Sequence, residues 1–143
     1  MTYLELVNVI QETLIASPFI ERVENDDVPS VDLDKTTIYP MAAFYLENTI
    51  LQGRTIQYNV NLLIADILDV DKKKGQDNRD FIWNQSIQVL NNLFEKFRRG
   101  ELSQTPIEIE AATLTPFKDR LDKGLAGMET SLTITLKNDM TLC

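Results

Sequence analysis

The chain has 143 residues, 43% of them apolar, a formal net charge of −8 and no histidine. Without histidine it can form no serine-histidine triad, cysteine-histidine dyad or Cys/His zinc site. The acidic balance argues against a general nucleic-acid binder, which gains affinity by neutralising phosphates with Lys and Arg.

The length fits one domain, 1–143, with enough apolar content for a core that needs no disulfide or metal. Cys143, the only cysteine, forms no internal disulfide and fits a reducing compartment. No apolar run reaches the ~18 residues of a membrane span, and no basic region precedes the first apolar residues. The expected place of action is therefore inside the cell or inside an assembled particle.

The opening TYLE reads as a capping box, with Thr2 and Glu5 each able to satisfy the other's backbone amide. Tyr3, Val7, Ile10 and Leu14, broadened by Leu6 and Val9, predict a helix that Pro18 ends. A short edge strand is expected over 19–24. Residues 25–35 follow as an acidic surface loop with Asp26, Asp27, Asp32 and Asp34 around Pro29. That loop contains no glycine for the tight turn of a calcium site.

Residues 38–68 predict a long β-hairpin turning near Gly53. Its second strand carries Ile56, Tyr58, Val60, Leu62 and Ile64 on one face, with Thr55, Gln57, Asn59 and Asn61 on the other. Leu63 and Ala65 interrupt the polar face, so the far end of that strand is expected to be covered on both sides. The following Asp69-Val70-Asp71-Lys72-Lys73-Lys74-Gly75 starts like a calcium loop. It then places Lys73 where a ligand is required and Lys74 where the glycine is required, so no metal is expected.

A long helix is predicted over 77–99, with Asp77 as N-cap, Gly100 beyond its end, and Lys96, Arg98 and Arg99 complementing the C-terminal dipole. Trp83, Ile87, Leu90, Phe94 and Phe97 form its apolar stripe, widened by Ile82, Val89 and Leu93. A short strand at 107–111, a glycine-containing loop at 115–127 and a last strand at 129–137 complete the chain, with 138–143 as a loose tail. The fold class is α+β, a mostly antiparallel sheet in the order α-β-β-β-α-β-β.

Little in this pattern suggests catalysis. Glu108 and Glu110 share a face, but Ile107 and Ile109 take the other, which makes the glutamates the solvent side of an amphipathic strand. The glycines match no phosphate-binding loop. No cofactor is expected, and the chain reads as a non-enzyme.

The hairpin YPMAAFYLENTILQGRTIQYNVNLLIADIL, the helix DFIWNQSIQVLNNLFEKF and the closing strand METSLTITLK give a layout that resembles the tail-terminator and tail-completion proteins of tailed bacteriophages. The resemblance implies a structural virion protein at the head-tail junction, made in the host cytoplasm and assembled as a ring of roughly six or twelve copies. Its partners would be copies of itself and portal, connector or tail proteins, with DNA passing through the lumen without specific binding and no membrane involved. On that reading Glu47, Asn48, Gln52, Gly53, Arg54, Phe117, Leu121, Gly124 and Gly127 are the candidate subunit-interface residues. The other readings are a small acidic inhibitor or immunity-type protein that caps a basic partner, and a divergent enzyme using carboxylates.

Overall fold

The structure, a computed structural model, describes residues 2–25, 39–68, 70–71, 76–101, 109, 111–120 and 124–138. The acidic segment 26–35, the lysine triplet, Glu108, Glu110 and Leu121 lie outside the described residues.

Helix α1 (Tyr3–Ile15) begins with the expected capping box. The Glu5 amide donates to Thr2 Oγ1 at 3.2 Å and the Thr2 amide donates to Glu5 Oε2 at 3.3 Å. Two amides that the helix itself cannot satisfy thereby find acceptors. Leu6, Ile10 and Leu14 are buried along one stripe, and the helix stops at the Ala16 cap, ahead of Pro18.

Strand β1 (Arg22–Glu24) pairs in parallel with the start of β2 (Met41–Leu51). β2 turns through Gln52, Gly53 and Arg54 into β3 (Thr55–Ile67), forming the long antiparallel hairpin. Gly53 sits at φ +75°, a conformation that costs an L side chain energy and glycine nothing. Two short strands, β4 (Val70–Asp71) and β5 (Gln76–Asp77), form a separate small ladder.

Helix α2 (Arg79–Arg98) starts one residue later than expected, with its N-cap at Asn78 and not Asp77. The backbone of Asp77 is taken by the β5 ladder, and Asn78 stands at the N-cap, its side-chain amide donating to the Ile67 carbonyl at 3.3 Å. At the other end Gly100, at φ +79°, donates to Phe97 O at 3.1 Å while Glu101 donates to Lys96 O at 3.0 Å. These two bonds make a Schellman termination and satisfy carbonyls the helix leaves open.

The stripe of α2 keeps Ile82, Val89, Leu90, Leu93, Phe94 and Phe97 from the predicted one, with Trp83 packed at its margin, and is turned toward Ser86 and away from Ile87. Ile82, Ser86, Val89, Leu90, Leu93, Phe94 and Phe97 are buried, whereas Ile87 is exposed. Ser86 tolerates the interior because its hydroxyl donates to the Ile82 carbonyl at 2.7 Å.

Residues 115–127 correct the expected loop. The described ones lie in strand β6 (Thr115–Arg120), at Gly124 and in the first residues of β7 (Leu125–Lys137), which begins four residues earlier than expected, while 121–123 are outside the described residues. Pro116 is compatible with β6 because β6 is an edge strand, where a missing amide breaks no ladder. Of the expected strand at 107–111, Ile109 makes an isolated bridge to Ile134, while 107, 108 and 110 are outside the described residues. Of the expected loose tail 138–143, Asn138 is held, since its amide donates to Arg54 O at 2.8 Å and its side chain to Gly53 O at 3.1 Å, while 139–143 are outside the described residues.

The strands form one mostly antiparallel five-stranded sheet in the order β1-β2-β3-β7-β6, and the class is α+β. Both helices pack on one face, where Phe44, Tyr58, Leu62, Leu132 and Ile134 meet Leu6, Ile10, Leu90, Leu93 and Phe97. At the far end the other face is also covered, as the sequence predicts. There Met41, Ala43, Leu63, Ala65 and Leu125 form a second cluster under Tyr39 and Phe117.

Gly127 makes that second cluster possible. A Cβ at this position would lie 1.7 Å from the Ile64 carbonyl oxygen and 3.0 Å from the edge of the Phe117 ring. Only hydrogen there allows β3 and β7 to keep their ladder while Phe117 lies across it.

Leu90→Ala is expected to destabilise the protein by about 2 to 5 kcal/mol, as the loss of a fully buried side chain, and Gln88→Ala on the exposed side of α2 by less than about 0.5 kcal/mol. Chemical denaturation of the two variants checks the orientation of the helix. Gly127→Ala is expected to cost about 1 to 3 kcal/mol through overpacking. Because the nearest atom is the backbone carbonyl oxygen of Ile64, adding Phe117→Ala should not restore the midpoint, and an unchanged midpoint in the single variant would refute the close approach.

Candidate interaction surfaces

The described surface offers three features: the tip of the β2–β3 hairpin, the uncovered sheet face, and a cleft between the helices. Each follows from how the sheet is built.

At the hairpin, the register slips between Leu46 and Asn48, leaving Glu47 as an extra residue opposite β3. Such a bulge increases local twist and bends the strand. Beyond it Asn48, Thr49, Ile50 and Leu51 are solvent-facing, with Ile50 41% and Leu51 74% exposed. The turn is nonetheless braced. Gln52 N donates to Thr55 O at 2.9 Å, Thr55 Oγ1 donates to Gln52 Oε1 at 2.9 Å, and Asn138 closes on Gly53 and Arg54 from the end of β7. The candidate residues Glu47, Asn48, Gln52, Gly53 and Arg54 thus lie together on one exposed, hydrogen-bonded tip.

The remaining candidates are divided. Phe117 is half-buried on β6 and packs on the second apolar cluster, Gly124 forms the β6–β7 turn at φ +63°, and Gly127 is buried inside β7. Leu121 is outside the described residues. Phe117 is further tied to α2, because the Trp83 indole N–H donates to its carbonyl at 3.1 Å and the Arg79 guanidinium lies 5.6 Å from the Trp83 ring.

The sheet face opposite the helices carries a ladder of amides and hydroxyls. Ser131 Oγ donates to Asn61 Oδ1 at 2.7 Å, Thr133 Oγ1 to Asn59 Oδ1 at 2.9 Å, and Gln57 Nε2 to Asn59 Oδ1 at 3.3 Å. The Asn59 amide in turn donates to Asn48 Oδ1, tying β2 into the same network. The centre of this face is polar and uncharged.

The cleft, of about 580 Å³, opens between the end of α1 with its following turn and the middle of α2. Thr13, Ser17, Phe19, Gln88, Asn92 and Lys96 are among its walls. No motif announces it, because its two walls come from segments about seventy residues apart in the chain. Of the basic cluster at the end of α2, Lys96 faces this cleft and Arg98 pairs with Glu95.

Among the described residues no group of three or more Cys, Asp or Glu is placed to hold a metal ion, and no helix is long and apolar enough to cross a membrane. Asp66, at the far end of β3, is the one described carboxylate whose pKa stands clearly off its ordinary value. Burial pushes it up, and the Ile67 amide donating to its Oδ1 at 2.7 Å opposes that only in part. Compared with known protein families and with curated proteins, the chain matches none.

Because Asp66 binds its proton more tightly in the folded protein, folding is favoured below its ordinary pKa of 3.8 and loses that contribution as pH rises through the folded value. Asp66→Asn keeps the acceptor for Ile67 and removes the half-buried charge. It is expected to raise the melting temperature at pH 7 and to leave it unchanged relative to the parent near pH 3. Paired melts across that range check the sign.

Proposed function

We propose that the chain is a structural ring subunit of a tailed bacteriophage, acting at the head-tail junction as a connector or tail terminator. The observation that carries this reading is the braced hairpin tip. A turn held by bonds from both of its strands and from Asn138 presents Ile50 and Leu51 to solvent in a fixed shape. Adjacent exposed aliphatics on a rigid projection are suited to docking on another molecule.

Three further features support the reading. The centre of the sheet face carries amides and hydroxyls, so copies can be set side by side there without charge repulsion. The net charge of −8 keeps DNA from adhering to a passage that it must slide through. The long hairpin, long helix and closing strand on which the resemblance rests are the layout this reading uses. The ring would join portal or head proteins to the tail, with closure following from a head-to-tail contact that repeats until it meets itself.

Electron microscopy of the assembled particle tests the proposal. The expected result is a closed cyclic density for this chain between head and tail. Absence of the chain from the particle, or its presence as scattered single copies, would overturn the ring reading and favour an acidic inhibitor of a basic partner.

A further inference from the structure

We infer that the hairpin tip of one copy docks into the interhelical cleft of the next, with Leu51 entering the end lined by Phe19 and Glu47 meeting Lys96 at the other end. The inference rests on the ring reading above and names its subunit contact.

Three observations carry it. The first is chemical: the tip offers an exposed aliphatic pair preceded by a carboxylate, and the cleft offers an aromatic and amide-lined wall ending in a lysine. Among the described residues Lys96 has no ion-pair partner of its own. A second copy of an acidic chain would ordinarily be repelled, so a local pairing of Glu47 with Lys96 is the complementarity that self-association needs.

The second observation is dimensional. From Glu47 to Leu51 a strand advances about 13 Å, and the α2 wall from Gln85 to Lys96 runs about 16 Å at 1.5 Å per residue. The aliphatic tip and the carboxylate therefore match the two ends of the cleft in one placement.

The third is topological. The segment Ser17, Pro18 and Phe19 leads into β1, which pairs with Met41, Ala42 and Ala43 at the start of β2, whereas Leu51 is the last residue of that strand. An 11-residue strand spans about 35 Å, so the tip and the Phe19 end of the cleft lie toward opposite ends of β2, too far apart for Leu51 to reach Phe19 within one chain. A knob at one end and a hole toward the other make a heterologous contact, the kind that closes into rings.

A charge-swap series on the full chain tests this. Sedimentation at increasing concentration is expected to show self-association that weakens about fivefold in Glu47→Lys and in Lys96→Glu, and returns toward the parent value in the double variant. Leu51→Asp is expected to weaken association at least about tenfold. All of these positions lie outside the fully buried core, and circular dichroism melts matching the parent confirm folding; Leu46→Ala, on the same strand but inward, serves as a control that lowers the melt without changing association.

Failure of the double variant to restore association, or a parent chain that stays monomeric at every concentration reached, would overturn the docking. If the particle carries a closed ring while the swap fails, the docking falls and the ring reading stands. If the swap restores association and the particle shows no ring, self-docking stands and the placement in the virion falls.

Discussion

The structure depends on β3 being hydrogen-bonded along both edges. From Thr55 to Ile67 it pairs with β7 without interruption, and from Ile56 to Ala65 it also pairs with β2. A strand so fixed presents alternate residues to two faces with no freedom to slip, because a shift by one residue would move Ile56, Tyr58, Val60, Leu62 and Ile64 to the wrong side. Both helices then have one place to bury their stripes. The order of the outer strands follows as well, β1 completing the β2 edge at Met41, Ala42 and Ala43 and β6 completing the β7 edge from Leu125 to Glu129.

The same arrangement leaves the opposite face to solvent except at one end. Where Leu63 and Ala65 replace polar residues, Phe117 and Tyr39 cover them, and the cover requires the missing side chain at Gly127. Trp83 extends this clamp across to α2 by donating to the Phe117 carbonyl. The protein is therefore thick and doubly packed at the α2 N-terminal end and thin at the hairpin end, where the bulge at Glu47 releases β2 from the core. Surface available for other molecules is concentrated where packing is one-sided. That polarity underlies the reading of the chain as an assembly subunit, in which the thin end of one copy meets the helical side of another.

Much of the fold and part of the candidate surface were legible in the sequence. The period-2 alternation of β3 and β7, the capping box at Thr2 and Glu5, and the glycine after α2 are local signals, and each has a local physical cause that tertiary packing had no reason to override. The exposed tip from Glu47 to Arg54 follows from the same hairpin pattern. The segment 115–127 was not legible as strand. Pro116 and two glycines are turn signals in isolation, and only a neighbouring strand shows that Pro116 sits on an edge and that Gly127 is a close approach. The cleft left no trace in any window, since its walls are distant in sequence.

By itself, the sequence determined the secondary structure of the long periodic elements, the burial of one face of the hairpin, the α+β class and the exclusion of histidine-based chemistry, because these depend on residue type and on spacings of two, three and four. Tertiary structure alone decided the insertion of β7 between β3 and β6, the parallel pairing of β1, the rotation of α2 that buries Ser86 and exposes Ile87, and the cleft beside Lys96. These features rest on contacts between segments far apart in the chain, whose energies depend on which surfaces meet, and no local pattern encodes that.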